Sequence, residues 1–116
     1  MRTRPLLDND RFRRLLRARD YLAQSAGQSM TVEDAARVAH LSKFHFLRLY
    51  EQAFGESPVD FLTRQRMDRA RQILRGGSLT VTETCLEVGY QSLGTFSSRF
   101  KRFAGVAPSE YRRMAL

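Results

Sequence analysis

The chain has 116 residues, enough for one domain or two small subdomains, and 42% of them are apolar, which allows a modest buried core. Twenty basic residues against twelve acidic ones give a formal charge of +8, and 18 of the 20 are arginine, whose planar fork suits phosphates and guanine edges better than an ammonium does, so an anionic partner is expected. A single cysteine, Cys85, excludes an internal disulfide, and no zinc ligand set, signal-peptide core or uncharged apolar run of ~18 residues is present, so a cytoplasmic protein without metal or cofactor is expected.

Asp8, Asn9 and Asp10 are candidate caps for a first helix over residues 9 to 25, with Phe12, Leu15, Leu16 and Leu22 as its apolar stripe and Ala26-Gly27 at its end. Thr31-Val32-Glu33-Asp34 has the form of a capping box. It opens a short helix whose Ala35, Ala36 and Ala39 permit close packing. His40 and Leu41 make a brief turn, and Ser42 caps a third helix over residues 43 to 54. Gly55-Glu56-Ser57-Pro58 ends that helix and starts the next, because glycine accepts a left-handed stop, serine caps and proline suits the first helical position. The fourth helix runs from Pro58 to about Arg75 and stops at Gly76-Gly77, with Asp60 in its first turn and Arg75 in its last, as the helix dipole prefers. Its apolar residues, Phe61, Leu62, Met67, Ala70, Ile73 and Leu74, do not keep to one stripe, as expected of a connector that touches different neighbours at its two ends.

The sequence then repeats. Thr80-Val81, Glu83, Cys85 and Tyr90 answer Thr31-Val32, Asp34, Ala36 and Leu41 at an offset of 49. After an insertion near Gln91 the offset becomes 50, and Ser92, Phe96, Phe100, Gly105, Pro108 and Tyr111 answer Ser42, Phe46, Tyr50, Gly55, Pro58 and Phe61. Two copies are too few for a solenoid, which needs three or more, so the pattern predicts two similar subdomains. Each copy is a short helix, a tight turn and a capped second helix, the helix-turn-helix arrangement. The expected division is residues 1–57, a connecting helix at 58–76 and residues 77–116, all-α with about seven helices. At the turn, Gly89 accepts a positive φ freely, and histidine, at the matching His40, tolerates that region better than most residue types.

The third helix, KFHFLRLYEQAF, sorts by face. Phe46, Leu49, Tyr50, Ala53 and Phe54 follow the spacing of a core stripe. Phe44, Leu47 and Arg48 form a separate set with Lys43 and Glu51 nearby. An arginine between apolar side chains suits the major groove, where guanidinium pairs with guanine and apolar groups meet thymine methyls. In the second copy Phe96, Phe100 and Phe103 make the core stripe. Gly94, Thr95, Ser97 and Ser98 then face outward with Arg99, Lys101 and Arg102 around them, a surface better suited to phosphate positioning than to strong base readout.

Two segments, LSKFHFLRLYEQAFGESPVDFLTRQRMDRARQIL at 41 to 74 and TVTETCLEVGYQSLGTFSSRFKRFAGVAPSEYRR at 80 to 113, resemble the DNA-binding domain of AraC/XylS-type bacterial transcription regulators. The resemblance covers residues 9 to 114 and implies two helix-turn-helix subdomains joined by a long helix. It also implies that the helices at 43 to 54 and 93 to 103 enter successive major-groove segments roughly 34 Å apart, so that one chain reads an asymmetric site as a monomer. By position, base reading falls on Phe44, Leu47 and Arg48 in the first helix and on Leu93, Gly94, Thr95, Ser97 and Ser98 in the second. Ser42, Lys43, Ser92, Arg99, Lys101 and Arg102 take phosphate contacts. Promoter DNA is the implied partner, with RNA polymerase as a second one and activation as the family's commoner mode.

The chain departs from the family pattern in two ways. Relatives often carry a polar reader where Leu47 stands, and polar or arginine readers where Leu93, Gly94 and Ser98 stand. Many also carry an effector or dimerisation domain, for which these 116 residues have no counterpart, so the chain is either a stand-alone protein or an excised module. A non-specific polyanion or membrane-surface binder is the alternative, since the arginine-rich helix from Pro58 is of a kind that lies on acidic lipid, but it lacks a clean amphipathic split. An enzyme is not expected, because no nucleophile, base and carboxylate assemble around the two histidines.

Overall fold

The computed structural model describes residues 8–27 and 31–115, and the first seven residues, read above against a signal peptide, lie outside them. Among the described residues there are seven helices and no strand: α1 (Asn9–Gln24), α2 (Val32–Val38), α3 (Lys43–Phe54), α4 (Pro58–Gly76), α5 (Val81–Glu87), α6 (Leu93–Ala104) and α7 (Pro108–Met114). The all-α, seven-helix expectation holds. None of these helices is long and apolar enough to cross a membrane.

Side chains cap the helix starts where the sequence places them. Asp8 accepts from the Arg11 amide at 2.8 Å, Ser42 from His45 at 3.3 Å, Ser57 from Asp60 at 3.0 Å and Ser92 from Thr95 at 3.2 Å. Thr31 with Asp34 and Thr80 with Glu83 form reciprocal capping boxes, each satisfying two amides that the helix leaves without partners. Gly55 and Gly105 end α3 and α6 in the left-handed region, at φ 74° and 87°.

The chain divides into two compact units, residues 8–25 with 31–62, and residues 26–27 with 63–115. The core of the first holds Leu15, Ala18 and Leu22 of α1, Ala35, Ala36 and Ala39, then Phe46, Leu49, Tyr50 and Phe61. The small alanines let α1 and α2 approach closely, and Tyr50 stands at the centre of an aromatic group, 5.5 Å from Phe46, 4.6 Å from Phe54 and 6.4 Å from Phe61 between ring centroids. The expected α1 stripe is corrected here. Ala18, not Phe12 or Leu16, completes it, since positions 15, 18 and 22 share the inward face, while Phe12 lies at the rim against Phe54 at 6.0 Å. The second core holds Met67, Ala70, Leu74, Cys85, Val88, Tyr90, Phe96 and Phe100.

The two cores show that the duplication begins earlier than the helix-turn-helix pairs. Met67, Ala70 and Leu74 stand at an offset of 52 from Leu15, Ala18 and Leu22, and the partly buried Ile73 answers the partly buried Tyr21. Arg66, Arg69 and Arg71 answer Arg14, Arg17 and Arg19 in the same register. Each unit therefore comprises an opening helix, a helix-turn-helix pair and a closing turn. In the first unit the closing residues are Pro58 and Phe61 of α4, and in the second they are Pro108 and Tyr111 of α7. Helix α4 thus serves twice, which explains its mixed apolar pattern: Phe61 belongs to the first core, whereas Met67, Ala70 and Leu74 belong to the second.

Candidate nucleic-acid interface

In the first unit the turn between α2 and α3 sets the outward face of α3. His40 has φ 55°, the only positive φ among described residues other than glycine. The backbone closes around it through Leu41, whose amide donates to the Ala36 carbonyl at 3.0 Å, and Arg14 braces it by donating to the His40 carbonyl at 3.2 Å. With Phe46, Leu49 and Tyr50 buried, the remaining arc of α3 faces out. Phe44 is 81% exposed, Leu47 is half-buried, and Arg48 is exposed with no carboxylate partner among the described residues. The three predicted base readers of this helix therefore share one accessible face. Ser42 caps the helix by accepting from the His45 amide, which leaves its own hydroxyl proton to donate. Lys43 pairs with Glu33 of α2 at 3.0 Å, and that hydrogen bond holds the Glu33 carboxyl below its usual range.

The second unit reproduces this frame with different chemistry. Gly89 supplies the turn at φ 94°, and here glycine is favoured on two counts. A Cβ would strain the left-handed backbone, and it would stand 3.0 Å from the Ala26 carbonyl oxygen and 3.2 Å from the Arg66 guanidinium. Arg66, the counterpart of Arg14, donates through Nε to that Ala26 carbonyl at 2.8 Å. Cys85 is buried, its thiol 3.6 Å from the Tyr90 carbonyl, and burial raises its pKa, which makes it a packing residue with little thiolate character.

Helix α6 turns Phe96 and Phe100 inward and presents Leu93, Gly94, Thr95 and Ser98, with Ser97 half-buried beside them. Arg99, Lys101 and Arg102 are exposed, and none has a carboxylate partner among the described residues. Gly94, Thr95, Ser98, Arg99 and Arg102 line an open depression of about 430 Å³ along the helix. Its walls are hydroxyl and guanidinium groups, matched to anionic or hydrogen-bonding partners.

Sequence reasoning missed a second class of arginine. Arg112 clamps the loop between α4 and α5, donating to the Leu79 carbonyl at 3.0 Å and the Gly77 carbonyl at 2.9 Å, and Arg75 donates to the Tyr111 hydroxyl at 2.9 Å. Arg19 lies 4.2 Å from the Phe54 ring centroid, and Arg71, its counterpart, 5.2 Å from that of Phe103. Several of the 18 arginines thus hold the fold together. The offset of 52 was the signal that would have identified the Arg14/Arg66 and Arg19/Arg71 pairs. No group of three or more potential metal ligands occurs among the described residues.

A family model described as a helix-turn-helix domain matches residues 35–114. Among curated proteins, the RCS-specific HTH-type transcriptional activator RclR of Escherichia coli K12 is 34% identical over 91 residues, covering 78% of this chain and 32% of that protein. Other curated relatives are described as AraC-like regulators. The chain spans between 28% and 34% of the length of the first curated relatives it matches. Among solved structures, the C-terminal domain of AraT, a response regulator from Geobacillus stearothermophilus, superposes with a TM-score of 0.81 at 31% identity, covering 98% of this chain and 88% of that one. The DNA-binding domain of the global transcriptional factor AdpA, solved with a target DNA, gives 0.82 at 25% identity, covering 87% and 91%. With the doubled helix-turn-helix frame and both exposed helix faces in place, the chain belongs to the AraC/XylS-type family of transcription regulators, as its DNA-binding domain with two helix-turn-helix motifs.

Proposed function

We propose that the chain binds double-stranded promoter DNA in a sequence-specific manner as part of a transcription activator, with α3 and α6 entering successive major-groove segments. The observation that carries this reading is the matched pair of helices. Each has 12 residues, a serine cap and a buried aromatic stripe, and each leaves an outward face with cations that have no carboxylate partner among the described residues, Arg48 on α3 and Arg99, Lys101 and Arg102 on α6. Phe44, Leu47 and Arg48 read bases from α3. Leu93, Gly94, Thr95, Ser97 and Ser98 contact bases from α6, and Ser42, Lys43, Ser92, Arg99, Lys101 and Arg102 meet phosphates. Lys43 exchanges Glu33 for a phosphate on binding.

The chain acts without catalysis, in the cytoplasm, and reaches RNA polymerase from its promoter site. Two reading helices in one chain suit a monomer on an asymmetric site, with dimerisation left to any further domain. The supporting comparisons are the activator RclR and the AdpA domain on its target DNA. The test is selection of duplexes from a random pool, followed by affinity for the selected and a random duplex at one salt concentration. A preference of about a thousandfold is expected. Equal affinity for random duplex and for anionic vesicles contradicts the reading.

A further inference from the structure

The second unit departs from the register of the first at one informative place. Leu49 is buried in the first core, whereas its counterpart at an offset of 50, Arg99, is exposed. At the helix ends the apolar bulk also changes place, Phe103-Ala104 packing on the second core where the first copy has Ala53-Phe54. A second difference accompanies the first. Tyr90 replaces Leu41, is buried, and has two guanidinium groups near its ring centroid, Arg66 at 5.3 Å and Arg99 at 5.8 Å. A guanidinium within about 6 Å of an aromatic ring, over its face, is attracted to it.

The surface beside Arg99 is low. Gly94, Thr95, Ser98 and Arg102 complete the depression of about 430 Å³ that Arg99 lines. Gly94 is not required by packing, since an added Cβ would meet nothing nearer than the Ser92 hydroxyl at 3.8 Å, and its small size opens the outward face instead. Helix α6 contains no carboxylate that competes for the guanidinium.

We propose that Arg99 is the specificity-determining side chain of the second unit, reading the O6 and N7 edge of a guanine, with Tyr90 as its positioning residue. This rests on the DNA-binding reading above and goes beyond the phosphate role given there to Arg99. A phosphate contact needs charge with little direction, which Lys101 and Arg102 supply. A guanidinium drawn toward the face of a ring favours some directions of its planar fork over others, and bidentate contact with guanine needs such direction. The Thr95 and Ser98 hydroxyls offer hydrogen bonds to the neighbouring base edge within the same depression.

The test uses the full chain and a duplex it selects from a random pool, with each guanine replaced in turn by 7-deazaguanine, which lacks the N7 acceptor. One replacement is expected to cost the wild type about tenfold in affinity and to cost Arg99→Ala nothing further. Arg99→Lys keeps the charge and is expected to lose this discrimination at an unchanged salt slope. Tyr90→Leu, the residue of the first copy, is expected to lose most of it while binding random duplex as the wild type does, and Tyr90→Phe to retain it. Full discrimination by Arg99→Lys, or a loss by Arg99→Ala that is equal on native, deaza and random duplexes, overturns the proposal. A wild type that shows no preference for the selected duplex overturns the DNA-binding reading and this proposal with it.

Discussion

Helices α3 and α6 share length, cap and buried aromatic positions, yet α3 exposes Phe44 and Arg48 around a half-buried Leu47, while α6 exposes glycine, threonine and serine with three cations around them. The shared part is what the fold requires. Phe46 and Phe96, and Tyr50 and Phe100, each fill the same place in a core, and Gly55 and Gly105 each stop a helix. Most of what differs lies outside the cores, with Leu49 of the first core against the exposed Arg99 as the exception. A duplicated frame therefore carries two unlike surfaces, an apolar and arginine face on α3 and a smaller-featured face on α6 where Arg99 stands out.

The largest expected effect tests the shared part. Phe46→Ala and Phe96→Ala should each cost about 3 to 5 kcal/mol of unfolding free energy, measured by urea denaturation. A loss below about 1 kcal/mol at either one would show that the two stripes are not equivalent. The turns should respond in opposite directions. Gly89→Ala forces a side chain into a left-handed position 3.0 Å from a carbonyl and should cost about 1 to 3 kcal/mol. His40→Gly relieves the left-handed strain that His40 tolerates, and after the entropy of glycine is counted should stabilise by up to about 1 kcal/mol. Thermal denaturation of both variants checks the signs, and a destabilised His40→Gly would mean that its side chain does more than bear the turn.

The outward faces come next in magnitude. Arg48→Ala should weaken binding to the selected duplex by about 1 to 3 kcal/mol and relax preference at one base position, whereas Lys101→Ala should weaken all duplexes alike and lower the salt slope by about one. The reverse pattern would exchange the roles assigned to the two helices.

The smallest effect concerns the capping boxes. Asp34 and Glu83 have pKa values below their usual 3.8 and 4.5, chiefly because each accepts the backbone amide of its own capping threonine, Thr31 and Thr80. A depressed folded pKa contributes stability that is present above the unfolded value and lost as pH falls through the folded one. Stability should therefore decline as pH drops below about 4, and Asp34→Asn with Glu83→Gln should flatten that decline. An unchanged pH profile in the double variant would assign the acid sensitivity to other carboxylates.

Much of this frame was legible in the sequence because caps and stops are local chemistry. Ser42, Thr31 with Asp34 and Gly55 announce helix boundaries without reference to anything distant. The two faces of α3 could be separated because Phe46, Leu49 and Tyr50 repeat with helical spacing. The opening helices were harder to match. Two stripes overlap in α4, Phe61 serving one core and Met67, Ala70 and Leu74 the other, so the correspondence with α1 was hidden. The roles of Arg14, Arg66 and Arg112 were not legible either, since each donates to a carbonyl, and a carbonyl is carried by every residue. The high arginine content pointed to a polyanion, but part of it braces turns and loops.

We propose that the two unlike faces of the duplicated frame each read their own stretch of one DNA site. It is tested most directly by selecting duplexes from a random pool with the wild type and with Arg48→Ala. Two blocks of preferred sequence about one helical turn apart are expected, of which Arg48→Ala blurs one and leaves the other intact. A single block in the wild type, or the loss of both blocks together in the variant, would contradict it.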